Sequence, residues 1–294
     1  MSEGRSVHVG VYADVDLNII DGSAIWLVSL CSVLSLIDNV VVHLVLKAPV
    51  NRHVLVQELQ DLENVHLIEP ERRRSPANAA EVMRSLDISQ PLDVVLVRGR
   101  LAALEMLREP RFSGKVWAYL TDVPQTLEDL STREGEELVE ILTKSSRVLC
   151  QTEWLRAWFT SLVPGADHKM LLLPPMVPPD AYRAHSRHWG EGGLHLFYAG
   201  KFAPSWGVLE SIAQIEEISS LGAPVDLVVA GDKIHDPPDS PGFADSIKRA
   251  LTTSSLVDWR GGLERGKVFE LLDEVDVALS YRSADLNTSR EIST

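Results

Sequence analysis

Leu194-His195-Leu196-Phe197-Tyr198-Ala199-Gly200-Lys201-Phe202-Ala203-Pro204-Ser205-Trp206-Gly207 reads as a strand, a loop and the approach to a helix. The apolar run stops at Gly200, and helical periodicity resumes from about Trp206 to Leu221. A strand that hands over to a helix through a short glycine-bearing loop is the repeating piece of a parallel sheet, because parallel neighbours need a crossover. Toward the C-terminus the alternation continues with Val225 to Ala230, a helix near Phe243 to Leu251, and a strand at Val275 to Leu279. Toward the N-terminus the same rhythm sets in again, with β-branched runs at Val7 to Val11, Val40 to Leu46, Val65 to Ile68, Val94 to Val97, Val116 to Leu120 and Val148 to Gln151. Runs that are apolar on both faces belong to a sheet covered by helices on both sides. The helix after the first strand places Ala24, Leu27, Val28, Cys31 and Leu34 on one stripe, which can pack on that sheet.

Between the two series stands Leu173-Pro174-Pro175-Met176-Val177-Pro178-Pro179, through which neither helix nor interior strand can continue, since proline fixes φ and removes a donor. The expected organisation is therefore two α/β units, 1–179 and 180–294, with six or seven strands in the first and at most four in the second. At 294 residues two units are the better prior, and 45% apolar residues supply two cores.

Composition disfavours several classes of partner. A formal net charge of −14 repels nucleic acid and anionic lipid. The compact basic run Arg72-Arg73-Arg74 lies beside Glu69 and Glu71 and reads first as a solvated loop. The longest apolar helical stretch, Ala24 to Ile37, is broken by Ser29, Ser32 and Ser35 and falls short of the ~20 residues of a membrane span. Glu3 and the acids at Asp14 and Asp16 argue against a secretory leader. Cys31 and Cys150, both in apolar surroundings, suit a reducing cytoplasm better than a disulfide framework. No signal in the sequence sets an oligomeric state.

Four loops carry candidate chemistry. After the first strand, Ala13 to Ser23 ends in Asp21-Gly22-Ser23, where Gly22 permits close backbone approach and Ser23 can cap a helix whose N-terminus offers N–H groups to an anion. An ordinary strand-to-helix turn explains the same residues equally well. Gly200 and Lys201 place an ammonium at the C-terminal edge of a parallel sheet, where such sheets bind ligands. Gly231-Asp232 and Gly261-Gly262-Leu263 follow two further strands and suit a base or ribose held by main-chain groups. Thr121-Asp122 stands at the end of a first-unit strand, where Asp122 either lines a site or caps the next turn.

In order and spacing, Asp21-Gly22-Ser23, Thr121-Asp122, Val148 to Leu155, Gly200-Lys201-Phe202, Gly231-Asp232 and Glu291 resemble the family 4 glycosyltransferases of GT-B architecture. The resemblance implies two Rossmann-like domains facing across a cleft and retaining transfer of a sugar from a nucleoside-diphosphate sugar to an acceptor hydroxyl, with no metal and no cofactor. It implies that Gly22 and Ser23 meet the donor phosphates, that Lys201 pairs with the diphosphate, and that Gly200, Gly231, Asp232, Gly262 and Leu263 hold the nucleotide. Asp122, Lys201 and Glu291 are then the expected catalytic set. In the family's Glu-x7-Glu element Glu291 fits the first carboxylate, and the second falls past Thr294. The second unit is accordingly expected to be incomplete and turnover by this form weak or absent.

Two further departures stand out. Thr121 replaces a histidine, and Trp206 occupies the place of a second cation. A competing resemblance joins Asp14-Val15-Asp16 with Gly231 to Asp236 in the manner of the haloacid-dehalogenase phosphatases, with Asp14 as nucleophile, Asp16 as acid and base, and Mg²⁺. A GT-B nucleotide-sugar epimerase keeps the fold and changes the reaction.

Overall fold

The computed structural model describes residues 5–121, 123–124, 127–128, 130–176, 192–238 and 240–280. The chain divides into two compact units, with the change between Met176 and Val177. The first contains β1 (Val7–Ala13), α1 (Gly22–Ser35), β2 (Val40–Val45), α2 (Gln57–Gln60), β3 (Val65–Ile68), α3 (Pro76–Ser89) and β4 (Val94–Arg98). It continues with α4 (Arg100–Arg108), β5 (Val116–Tyr119), α5 (Thr132–Lys144), β6 (Arg147–Cys150), α6 (Glu153–Leu162) and β7 (Met170–Leu172). The second contains β8 (Leu194–Ala199), α7 (Val208–Ser220), β9 (Val225–Ala230), α8 (Phe243–Thr253), β10 (Val257–Gly261), α9 (Arg265–Glu274) and β11 (Val277–Ala278).

In the first unit the sheet runs β3-β2-β1-β4-β5-β6-β7, and in the second β10-β9-β8-β11, with every pairing parallel. Both orders reverse at the opening strand of the unit, between β1 and β4 and between β8 and β11. Loops on either side of such a reversal diverge, and the crevice between them is where doubly wound sheets take ligands. The expected α/β class with two Rossmann-like sheets is therefore the observed one.

Helix placement follows from local chemistry. Ser75, Ser131 and Thr152 accept hydrogen bonds from Asn78, Glu134 and Leu155 N–H at the starts of α3, α5 and α6. Glu134 also accepts from the Ser131 hydroxyl at 2.8 Å, so two ends of one turn hold each other. One first-unit core gathers α3 to α6 on one side of the sheet, and another gathers α1 and α2 on the other. Helix α1 is buried from Trp26 to Cys31 without interruption, a broader face than the stripe expected from spacing. Cys31 and Cys150 are buried free thiols. No helix among the described residues is long and apolar enough to cross a membrane.

Three local readings need correction. Helix α7 begins at Val208 rather than at Trp206, which sits in a 3-10 turn over Pro204–Trp206. The strand expected over Val275 to Leu279 shrinks to Val277–Ala278. At its start Asp276 still donates its N–H to the His195 carbonyl, but the His195 N–H goes to the Asp276 carboxylate rather than to main chain, so the ladder does not extend toward Val275. Nor is the arginine run merely solvated. Arg73 pairs with Asp16 at 2.5 Å, and Arg74 donates to the Leu46 and Ile68 carbonyls at the ends of β2 and β3.

Three histidines cross adjacent strands of the first sheet. His8 Nδ1 and His43 Nε2 are 3.1 Å apart, and the rings of His43 and His66 lie 5.3 Å apart. His43 is buried, and that burial, with His66 and His8 nearby, pushes its pKa down from 6.5 to about 4. A proton taken up by the unfolded chain at 6.5 is thus refused by the fold until about 4. Stability is fully present above the unfolded value and should fall as pH drops through that window, by on the order of 2–3 kcal/mol. Urea unfolding at neutral and at mildly acid pH measures the fall, and His43→Gln should flatten it.

Candidate functional site

The loops that leave β10, β9 and β8 in the second unit are locked together at the C-terminal edge of the sheet. Gly231 N–H donates to the Gly261 carbonyl at 2.7 Å, and Gly200 N–H donates to the Ala230 carbonyl at 3.0 Å. The ladder therefore runs past the strands into the loops. A Cβ on Gly231 would stand 2.1 Å from the Gly200 carbonyl oxygen, and one on Gly262 would stand 2.3 Å from the Asp232 carboxylate. The Gly231 position excludes a side chain, because a main-chain oxygen cannot move aside, whereas at Gly262 the Asp232 carboxylate is a side-chain tip that can. With glycine at both, main-chain groups form the surface of this edge.

Aromatic packing fixes the Gly200 loop. Phe202 is fully buried, with its ring centroid 6.2 Å from Tyr198 and 6.4 Å from Trp259. Its N–H donates to the Lys233 carbonyl, its carbonyl receives the His235 N–H, and Trp259 Nε1 donates to the Gly231 carbonyl at 2.8 Å. The Tyr198 hydroxyl donates to the Lys201 carbonyl at 2.7 Å. Lys201 thus starts from a pinned backbone, and its ammonium rests 4.6 Å from the centroid of Trp206. A cation over an indole face is held in place by attraction to the ring. Gly200, Lys201, Gly231, Asp232 and Gly262 all belong to this edge. Leu263 packs beneath it with Phe197, Ala230 and Val275.

In the first unit the Gly22 loop differs from expectation. Asp21, not Ser23, caps α1, its carboxylate accepting the Ala24 N–H at 3.0 Å. A capping carboxylate already answers the partial positive charge of that helix end, so the helix terminus alone is a weaker anion site than the sequence suggests. The Ser23 hydroxyl instead accepts a hydrogen bond from Arg98 Nη2 at 2.8 Å. Arg98, the last residue of β4, was not singled out by the sequence, and neither was Trp26, whose ring stacks on that of Tyr119 at 4.2 Å beside it. A terminal arginine on an otherwise apolar strand was the available signal.

Asp14 and Asp16 are engaged elsewhere. Lys47 pairs with Asp14 at 2.7 Å, the Tyr12 hydroxyl donates to the same carboxylate, and burial followed by Asp14 drives the Tyr12 phenol well above its usual range. Asp16 accepts from Asn18 N–H and Nδ2 as well as from Arg73. Among the described residues no group of three or more His, Cys, Asp or Glu is placed to hold a metal ion. Thr121 is half-buried just past β5, whereas Asp122 and Glu291 lie outside the described residues.

No family model matches the chain, and no curated protein matches it in sequence. Solved structures do. HepE from Anabaena, in complex with UDP and glucose, superposes with a TM-score of 0.63 at 13% identity over 95% of this chain and 75% of its own. WaaG, a glycosyltransferase involved in lipopolysaccharide biosynthesis, gives 0.61 at 16% identity over 94% and 75%. A UDP-N-acetylglucosamine 2-epimerase from Rickettsia bellii gives 0.54 at 11% over 92% and 72%. With two parallel sheets in Rossmann strand order and these likenesses along nearly its whole length, the chain has the GT-B fold of glycosyltransferases.

Proposed function

We propose that this protein is a glycosyltransferase that takes its sugar from a nucleoside-diphosphate donor, with retention at the anomeric carbon and without a metal. The observation that carries the reading is the edge of the second sheet, where Gly200, Gly231 and Gly262 present bare main chain beside a positioned ammonium, Lys201. Main-chain groups suit a ribose and base, and the ammonium suits a diphosphate. The complexes of HepE with UDP make a uridine donor the first to try. The work of such a site is electrostatic. Negative charge grows on the leaving diphosphate as the glycosidic bond lengthens, and Lys201, fixed before the reaction over Trp206, stabilises that charge without reorganising. Asp122 and Glu291 remain the candidates for the sugar side, and the free thiols suit a reducing cytoplasm.

The phosphatase reading is the weaker one, since Lys47 and Arg73 occupy the carboxylates it would need. The likeness to a 2-epimerase keeps a second reading open on the same fold. Calorimetric titration with UDP and UDP-sugars in the presence of a chelator should show binding, and absence of binding for every common nucleotide sugar sinks the proposal. Incubation of UDP-N-acetylglucosamine without acceptor separates the two reactions. An epimerase interconverts the sugar, whereas a transferase leaves it unchanged or hydrolyses it slowly.

A further inference from the structure

The first unit carries a cluster of hydrogen-bond donors that the donor-sugar site does not use. Arg98 ends β4 at the point where the strand order reverses, and its guanidinium carbon lies 5.8 Å from the centroid of Trp26. Among the described residues it faces no carboxylate: one nitrogen donates to Ser23, and Nε is buried with no acceptor. Trp26 is 5% exposed, and its Nε1 is likewise buried with no acceptor. Ser23 accepts from Arg98 and so keeps its own hydroxyl hydrogen to donate. Three donors on neighbouring side chains therefore lie where a strand end, a helix start and a switch point meet.

Native folds rarely leave buried donors unmatched, because such a donor has given up its bond to water without a replacement. A cluster rich in donors calls for a ligand made up of acceptors. Charge points the same way, since Asp21 offsets the α1 terminus and leaves the Arg98 guanidinium as the net charge of the cluster. A planar carboxylate matches a fork of two parallel donors. Donors on three separate side chains, guanidinium, indole and hydroxyl, are better met by the several oxygens of a tetrahedral anion.

We propose that Arg98, Ser23 and Trp26 form a phosphate-binding subsite that recognises a phosphate group carried by the acceptor. The subsite itself stands on these contacts, and its assignment to the acceptor rests on the glycosyltransferase reading. Arg98 is here a specificity-determining residue and takes no part in bond making.

Inorganic phosphate is the probe, titrated into the whole chain at constant ionic strength and followed by the Trp and Arg side-chain N–H resonances, with UDP titrated in parallel. The expected result is saturable binding in the millimolar range that weakens at least about tenfold in Arg98→Gln and is partly restored in Arg98→Lys, with UDP affinity unchanged in both. Thermal unfolding without ligand checks that both variants remain folded, and Ser23→Ala provides a milder second loss. Equal phosphate response in wild type and Arg98→Gln overturns the subsite and means that water satisfies these donors. Loss of UDP affinity in step with phosphate affinity overturns the acceptor assignment and gives Arg98 to the donor. Failure of UDP to bind at all, with the phosphate response intact, removes the proposed function and leaves the subsite standing.

Discussion

Lys201→Ala should weaken binding of a nucleoside-diphosphate sugar by roughly 1.5–3 kcal/mol, the range for a hydrogen bond to a charged group. That is about ten- to a hundredfold in affinity. The expectation is at the larger end of what one surface lysine usually delivers, for two reasons visible in the loop. Its backbone is clamped by the Tyr198 hydroxyl and by the burial of the adjacent Phe202, so little main-chain freedom is lost on binding. Its side chain already lies over Trp206, which limits the rotamers a free lysine would have to give up. Trp206→Ala should therefore act in the same direction and more weakly, by about 0.5–1 kcal/mol, the worth of an exposed cation–π contact. Calorimetry on the two variants and their double mutant tests the coupling. Additive losses would mean that the indole does not position the ammonium, and an unchanged affinity in Lys201→Ala would remove this edge from the donor site.

What the sequence disclosed about this loop was its place, and what it concealed was its partner. Gly200 at the end of an apolar run announces a strand end, because both features are local and have their own chemistry. That Trp206 lies under Lys201 depends on a 3-10 turn and on the start of α7 at Val208, where helical periodicity alone is blind by a residue or two. The same limit accounts for Ser23. Serine and aspartate are both good caps, and only the observed backbone selects Asp21, which frees Ser23 to meet Arg98 from a strand many residues away. Strand existence and the proline-rich break at Leu173 to Pro179 were legible since they depend on neighbours in the chain. Arg98 with Trp26, Lys47 with Asp14 and Arg74 on the β2 and β3 carbonyls were not, since each depends on sheet order, which no local pattern encodes. Sequence reading thus located the glycine edge of the second unit and missed the charged wiring of the first.

Gly231→Ala should do the greatest damage of any single substitution on the glycine edge. Two costs combine. At a φ of +151° an L-residue is strained by ~1–3 kcal/mol, and the new Cβ would also sit 2.1 Å from the Gly200 carbonyl oxygen. That oxygen is main chain and cannot swing aside as a side-chain tip would, so the loops after β8 and β9 must part, at a further ~1–3 kcal/mol for overpacking. The sum, roughly 2–6 kcal/mol, is a large share of a domain's usual 5–15. Gly222→Ala separates the two terms: its φ of +87° is also unfavourable, but nothing lies within 4 Å of the added methyl. It should lose about 1–2 kcal/mol, the cost of an L-residue in the left-handed region. Hydrogen exchange measures both variants strand by strand, which matters in a chain of two units where a single unfolding free energy is poorly defined. Amides of β8, β9 and β10 should exchange faster in Gly231→Ala while those of β1 to β7 hold their wild-type protection. Wild-type protection of β8 to β10 in that variant would mean that the two loops can separate freely, and the close approach of Gly200 to Gly231 would then be no constraint on the donor edge.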